Sequence, residues 1–225
     1  WTPNTTDAQR RRYRFGQQPQ IAHWNLVRLA NALAPVFASH EPLQAGLQRY
    51  VDVYTETNRA GVAAKFGLTT CLDEDMEMMG ALHELLETAE VDMTIFFRAL
   101  ADLNPAAPSL EIFNDAFYDD AKRREATPRF GEWLSRYAER VRRDPLAPAE
   151  RRVRMNAVNP RYVLRNYLAQ QAIDRAEQGD AEGIRELLDV LRRPYDDQPG
   201  RESYAQRRPD WARDKAGCSM LSCSS

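Results

Sequence analysis

The side chains able to do chemistry are few and scattered. Three histidines, His23, His40 and His83, and three cysteines, Cys71, Cys218 and Cys223, occur in 225 residues. His83 opens a His-Glu-Leu-Leu-Glu stretch that invites comparison with a zinc helix, but the position four residues on, where a second imidazole would share the face, is Glu87. Zinc is therefore not expected. Asp73, Glu74, Asp75 and Glu77 could attract a cation, yet they fall in the first turn of an expected helix, where carboxylates meet the positive end of the helix dipole, and no convergent ligand set accompanies them. The run Arg10 to Arg12 could meet a phosphate, but so short a run is more often a solvated face or an ion-pair partner. No serine stands in a G-x-S-x-G setting, and neither a glycine-rich phosphate loop nor a Walker sequence is present.

That leaves the thiols. Three cysteines so unevenly placed make no disulfide framework and suit a reducing compartment. Cys71 lies beside an expected helix start, where partial burial would slow its reactions, whereas Cys218 and Cys223 lie in the tail CSMLSCSS, whose terminal position favours mobility. Cys223 is accordingly the expected redox-responsive thiol, with Cys218 as a possible partner if the tail bends to bring the two Cα atoms within about 7 Å.

The elements that must position these groups read as helices throughout. Ten glycines, no alternating β-branched runs and plentiful Ala, Leu, Arg, Glu and Gln argue for an all-α fold. A hydrophobic fraction of 43% beside 28% charged residues is a globular balance, and 31 basic against 33 acidic residues give no general attraction to nucleic acid or to an anionic membrane. No apolar run approaches the roughly 18 residues a membrane-spanning helix needs.

Residues 1–18 carry little periodicity and read as an exposed or docked loop. Pro19 then starts a helix in which Ile21, Trp24, Leu29, Leu33 and Val36 follow the spacing of one buried face, and Pro35 marks its approximate end. Glu41 to Phe66 forms a second helix, antiparallel to the first, with Leu43, Leu47, Tyr50, Val51 and Tyr54 as its stripe and Gly67 at its stop. Asp73 is placed to cap a third helix running through Leu86. Val91 to Leu103 is a fourth, and the prolines of Asn104 to Pro108 separate it from an aromatic segment, Leu110 to Tyr118. Further helices are expected over Arg129 to Arg143 and Glu150 to Met155. The proline-containing stretch Asp144 to Pro148 between them is the best internal boundary. Asn159 before Pro160 reads as an N-cap followed by proline at the first helical position, and Gly179 as the matching stop. The helix from Pro160 to Gln178, with Leu164 and Leu168 inward, is therefore expected to be a central packing element. Asp180 caps its hairpin partner, which points Ile184, Leu187, Leu188 and Leu191 inward and ends at Pro194. The proline-rich polar tail is held by Tyr195, Tyr204 and Trp211. These boundaries define a loop (1–18), a helical body (19–143) and a helical hairpin with its tail (144–225).

Five segments, in order, resemble one family. WTPNTTD with RRYRF, QQP and WN between Trp1 and Asn25, then DMTIFFRAL at Asp92 to Leu100, NPRYVLRNYLAQQAI at Asn159 to Ile173, RRPYDDQP at Arg192 to Pro199, and RRPDWA before a terminal CSS look like the selenoprotein O family of kinase-like protein AMP-transferases. The resemblance implies that residues 1–18 are an activation-segment-like loop and that the chain is the helical C-terminal part of a kinase-like fold. It implies ATP and Mg²⁺ as cofactors of the full-length enzyme, bound by a nucleotide lobe, a catalytic Asp and metal-binding Asn and Asp residues upstream of Trp1. No catalytic, cofactor-binding or metal-binding residue is assigned within this chain, which alone should bind neither cofactor. The implied partners are the missing N-terminal lobe and protein substrates, with no nucleic acid and no membrane. The implied location is cytoplasmic, or mitochondrial in a eukaryote.

In that family the residue third from the end is a cysteine or selenocysteine, the place of Cys223, and many members carry a cysteine three residues earlier, where this chain has Met220. The family's terminal cysteine can pair with a cysteine of the activation segment, but Trp1 to Phe15 contains none. The alternative function, drawn from the missing phosphate loop, is a non-catalytic helical interaction module with a redox-active C-terminal cysteine.

Overall fold

A computed structural model describes residues 15–215 together with Cys218. The regular secondary structure of these residues is helical: α1 (Gln18–Leu33), α2 (Glu41–Phe66), α3 (Asp73–Thr88), α4 (Met93–Leu100), α5 (Asp120–Arg142), α6 (Pro148–Val158), α7 (Asn166–Glu177) and α8 (Glu182–Leu191). Short 3-10 turns fill Leu110–Ala116, Glu202–Ala205 and Asp210–Ala212, and one antiparallel bridge joins Val91 to Phe117. No described helix is long and apolar enough to cross a membrane. The described residues divide into two compact units, one up to residue 59 and one from residue 60 to residue 218.

In the first unit, the Tyr50 hydroxyl of α2 donates to the Pro19 carbonyl at 2.8 Å, and the Tyr50 ring lies 5.9 Å from that of His23. Residue 19 meeting residue 50 across the turn at 34–40 is the pairing an antiparallel hairpin gives. The expected buried stripe is nonetheless absent: α1 buries none of its residues, and Trp24, Leu29, Leu33 and Val36 are exposed, as are Val51 and Tyr54 of α2. An amphipathic helix buries its stripe only against a second apolar surface, and within this unit α1 meets α2 chiefly through one tyrosine.

The main core lies in the second unit. Phe66 of α2, Phe96 and Phe97 of α4, Phe113, and Phe130, Trp133 and Tyr137 of α5 interlock there, with Phe96 stacked on Phe113 at 4.3 Å and Trp133 on Tyr137 at 5.4 Å. The polar tips of the two amphipathic rings are satisfied inside: Trp133 Nε1 donates to the Met78 carbonyl and the Tyr137 hydroxyl to that of Phe66, both at 2.9 Å. α2 stops where expected because Gly67 turns left-handed at φ +67°, and a Cβ there would sit 2.3 Å from Arg151 Cγ.

Several expected boundaries move, each for a local reason. Asp73 is the first residue of α3 rather than its cap. Asp75 serves the helix start instead, accepting from the Leu72 amide at 2.8 Å. α4 is shorter than Val91 to Leu103, because the side chain of Asp92 caps it at Ile95 N. α5 begins nine residues before Arg129, as Asp119 accepts from the amides of both Ala121 and Lys122 and Pro128 is accommodated within the helix. α6 extends beyond Glu150 to Met155 at both ends, from Pro148 at its first turn to Val158.

The largest correction concerns Asn159. It ends α6 rather than capping a helix at Pro160. Fully buried, it donates from Nδ2 to the Lys65 carbonyl and accepts from Lys65 Nζ, each at 3.1 Å. Residues 160–165 stay irregular, their Arg161 and Tyr162 amides both donating to the Pro194 carbonyl, and α7 starts only at Asn166. Leu164 is consequently 61% exposed while Leu168 is 8% exposed. Rather than being central, α7 packs with α8 in a smaller cluster of Tyr167, Leu168, Ala172, Leu187, Ala212 and Cys218. Ile184 and Leu188 of α8 face outward, because the strip of the short helix that meets α7 is taken by Gly183 and Leu187, with Leu191 packed beside them. Replacing Leu168 by Ala should cost about 2–5 kcal/mol, whereas Leu164→Ala should stay within about 0.5 kcal/mol. Denaturant unfolding of the two variants checks this pair of outcomes.

Candidate functional site

Of the residues singled out for their chemistry, Arg10 to Arg12 and Cys223 lie outside the described residues. Cys71 is half-buried, its thiol 3.5 Å from the Leu72 carbonyl. His83 is half-buried on α3, and desolvation, with the nearby Lys65 charge, lowers its pKa and keeps it neutral. The acidic cluster comes apart. Asp75 is fully buried and holds Arg140 of α5 through two hydrogen bonds of 2.9 and 3.1 Å, while Glu74 pairs with Arg143 at 2.8 Å. Among the described residues no group of three or more His, Cys, Asp or Glu side chains converges on a point that could hold a metal ion.

A different carboxylate gathers the polar network of this unit. Asp92, 5% exposed, caps α4 through Ile95 N at 3.1 Å, accepts the Tyr118 hydroxyl at 2.8 Å, and is gripped by both terminal nitrogens of Arg165, one of them at 3.1 Å. Burial opposes the Arg165 charge, but the hydrogen bonds and attraction of Asp92 outweigh it and raise its pKa. Tyr118 is pushed up to about 12, first by desolvation and then by the neighbouring Asp92 charge, so its hydroxyl stays a donor. The same oxygen accepts the Arg208 amide at 3.2 Å, and Arg207 reaches the Phe117 carbonyl. One carboxylate thus joins α4, the turn before α5, the segment before α7 and the tail.

The tail is a strap over α7 and α8, in which Tyr204 and Trp211 make the expected ring contacts and Tyr195 does not. Tyr204 is half-buried against the small cluster, and Trp211, although 49% exposed, meets the Tyr167 ring edge-on at 6.2 Å. Tyr195 is exposed and contributes its carbonyl, which accepts from Arg98 at 3.2 Å. Gln198, buried and unexpected, donates to the Val190 and Arg193 carbonyls at 3.0 and 2.8 Å. Lys215 reaches Asp174 at 2.8 Å, and three residues on Cys218 is 4% exposed inside the small cluster, its carbonyl accepting from Asn166 at 3.3 Å. Burial among apolar side chains makes Cys218 a packing residue in this state of the tail.

Asp92 carried one sequence signal, an acid directly before the apolar run MTIFFRAL, which is a capping position. Arg165 and Tyr118 carried none, since nothing in the spacing of residues 92, 118 and 165 says that they meet.

A family profile described as "Protein adenylyltransferase SelO" matches residues 1–192. Proteins described as "Protein nucleotidyltransferase YdiU" are 62% identical in Xanthomonas euvesicatoria pathovar vesicatoria, 63% in an Azoarcus species and 60% in Xanthomonas campestris pathovar campestris, each over all 225 residues of this chain. The chain spans 43% of the length of these relatives.

The phenol of Tyr118 binds its proton more tightly folded than unfolded, so its contribution to stability is complete below pH 10 and is lost as the pH rises from 10 towards 12. Stability measured by urea unfolding across that range should fall more steeply for the wild type than for Tyr118→Phe.

Proposed function

The chain belongs to the SelO family of protein adenylyltransferases, and we propose that it forms the helical C-terminal part of an enzyme that moves AMP from ATP to protein hydroxyls. In this reading a Ser, Thr or Tyr oxygen attacks the α-phosphorus, the bond from that phosphorus to the β-phosphate bridge breaks, pyrophosphate leaves, and the hydroxyl proton passes to an Asp upstream of this chain. ATP and magnesium bind outside the described residues. The enzyme works in the cytoplasm, or in the mitochondrion of a eukaryote, and takes proteins rather than nucleic acids as substrates.

The observation that supports this reading most is the uncovered apolar side of α1 and α2. Trp24, Leu29, Val36 and Phe37 are exposed, and a cavity of about 510 Å³ runs along α2 beside Tyr50, Val53 and Tyr54. Apolar side chains so concentrated call for a covering surface, and the chain accounts for 43% of its relatives' length. The remaining part of the enzyme is the occupant. In the same reading Cys223 is the redox-responsive thiol of the tail, and Cys218 holds the strap against the small cluster.

Incubation with ATP labelled at either end tests the reaction. The full-length protein should retain label from the α-phosphate and none from the γ-phosphate, and the isolated 225-residue chain should retain neither. Label from the γ-phosphate, or labelling of the isolated chain, would overturn the assignment.

A further inference from the structure

α3 is followed by a left-handed residue, as α2 is at Gly67, but here the residue is Glu90, with φ +50°. Among the described residues it is the one non-glycine with a positive φ. The turn is closed by the Val91 amide, which donates to the Leu86 carbonyl at 2.8 Å, and glycine fits such a position without strain. A larger residue kept there against its backbone preference is held by what its side chain touches. The Glu90 carboxylate accepts Lys122 Nζ of α5 at 2.7 Å and a terminal nitrogen of Arg213, on the strap, at 3.1 Å. The Lys122 hydrogen bond, with the Lys122 and Arg213 charges behind it, outweighs desolvation and holds the Glu90 carboxyl below the usual carboxylate range.

Arg213 directly follows Ala212, which is fully buried in the small cluster, and precedes Cys218, which is buried in the same cluster. Between them Lys215 pairs with Asp174 of α7 at 2.8 Å. The end of the strap is thus fastened at two places, by Arg213 to the turn after α3 and by Lys215 to α7. Both pairs are partly exposed to solvent, and such pairs each contribute little. A segment held by few contacts opens locally while the rest of the fold stays closed.

We infer that Glu90 is the catch of a latch, and that releasing Arg213 from it lets the end of the strap lift from α7 and uncover Cys218 while the Asp92 contacts stay in place. Closed, the latch keeps the thiol among apolar side chains; open, it leaves the thiol to solvent. The device does not depend on the adenylyltransferase reading.

Iodoacetamide labelling of the full-length protein under native conditions, with Cys218 and Cys71 followed separately by peptide mass spectrometry, reads the latch. Arg213→Met should raise the Cys218 labelling rate roughly threefold over the wild type, the change that loss of one solvent-screened ion pair gives, and leave Cys71 at its wild-type rate. Glu90→Gly separates the catch from general stability. It relieves the turn, so the melting temperature should hold, yet it removes the carboxylate, so Cys218 should again label roughly threefold faster. Wild-type labelling of Cys218 in either variant, or an equal rise at Cys71, would overturn the latch.

Discussion

A single buried carboxylate, Asp92, holds the larger compact unit together by doing three things at once. It caps α4, it accepts the Tyr118 hydroxyl, and it takes both terminal nitrogens of Arg165. The main aromatic core and the small α7–α8 cluster are separate in their packing, so the tie between them is chiefly polar. Polar ties of this kind are directional. Removing one partner of a buried pair leaves an uncompensated charge and costs about 3–5 kcal/mol, which is why so few residues can fix so much of the arrangement. The Asp75 and Arg140 pair does the equivalent work inside the main core, joining the start of α3 to α5.

How much of this was legible depended on whether a residue's partner was near in sequence. The apolar periodicity of α2, α3 and the α7–α8 hairpin could be read directly, because three-and-four spacing is a local property. Asn159 shows where the reading fails. Its side chain and Pro160 fit a helix start by every local rule, yet Lys65, 94 positions away, takes the amide and leaves the next six residues irregular, with the Arg161 and Tyr162 amides bonded to Pro194. α5 starts at the Asp119 cap rather than at Arg129, with Pro128 accommodated inside the helix. Gln198, Tyr118 and Arg165 were invisible for the same reason as Asp92's full role: their hydrogen bonds cross from 5 to 90 positions.

The family membership was legible because it rests on five short segments kept in order, and the later ones, where described, turn out to be structural. DMTIFFRAL holds Asp92 and the capped α4, NPRYVLRNYLAQQAI holds Asn159 and Arg165, and RRPYDDQP and RRPDWA supply Gln198, Arg207 and Arg208. The resemblance therefore marks the knot and its strap. The apolar side of α1 and α2 is the place where the described residues point beyond themselves.

The central physical claim is that Asp92 and Arg165 fasten the hairpin and strap to the main core, and hydrogen exchange on the full-length Arg165→Met variant tests it most directly. The account predicts faster exchange together at Ala169 and Ala172 of α7, at Leu187 and Val190 of α8, and at Tyr204, Ala212 and Cys218 of the strap, with α3 and α5 unchanged. Exchange that stays at the wild-type rate across the strap, or that accelerates equally in α3 and α5, would contradict it.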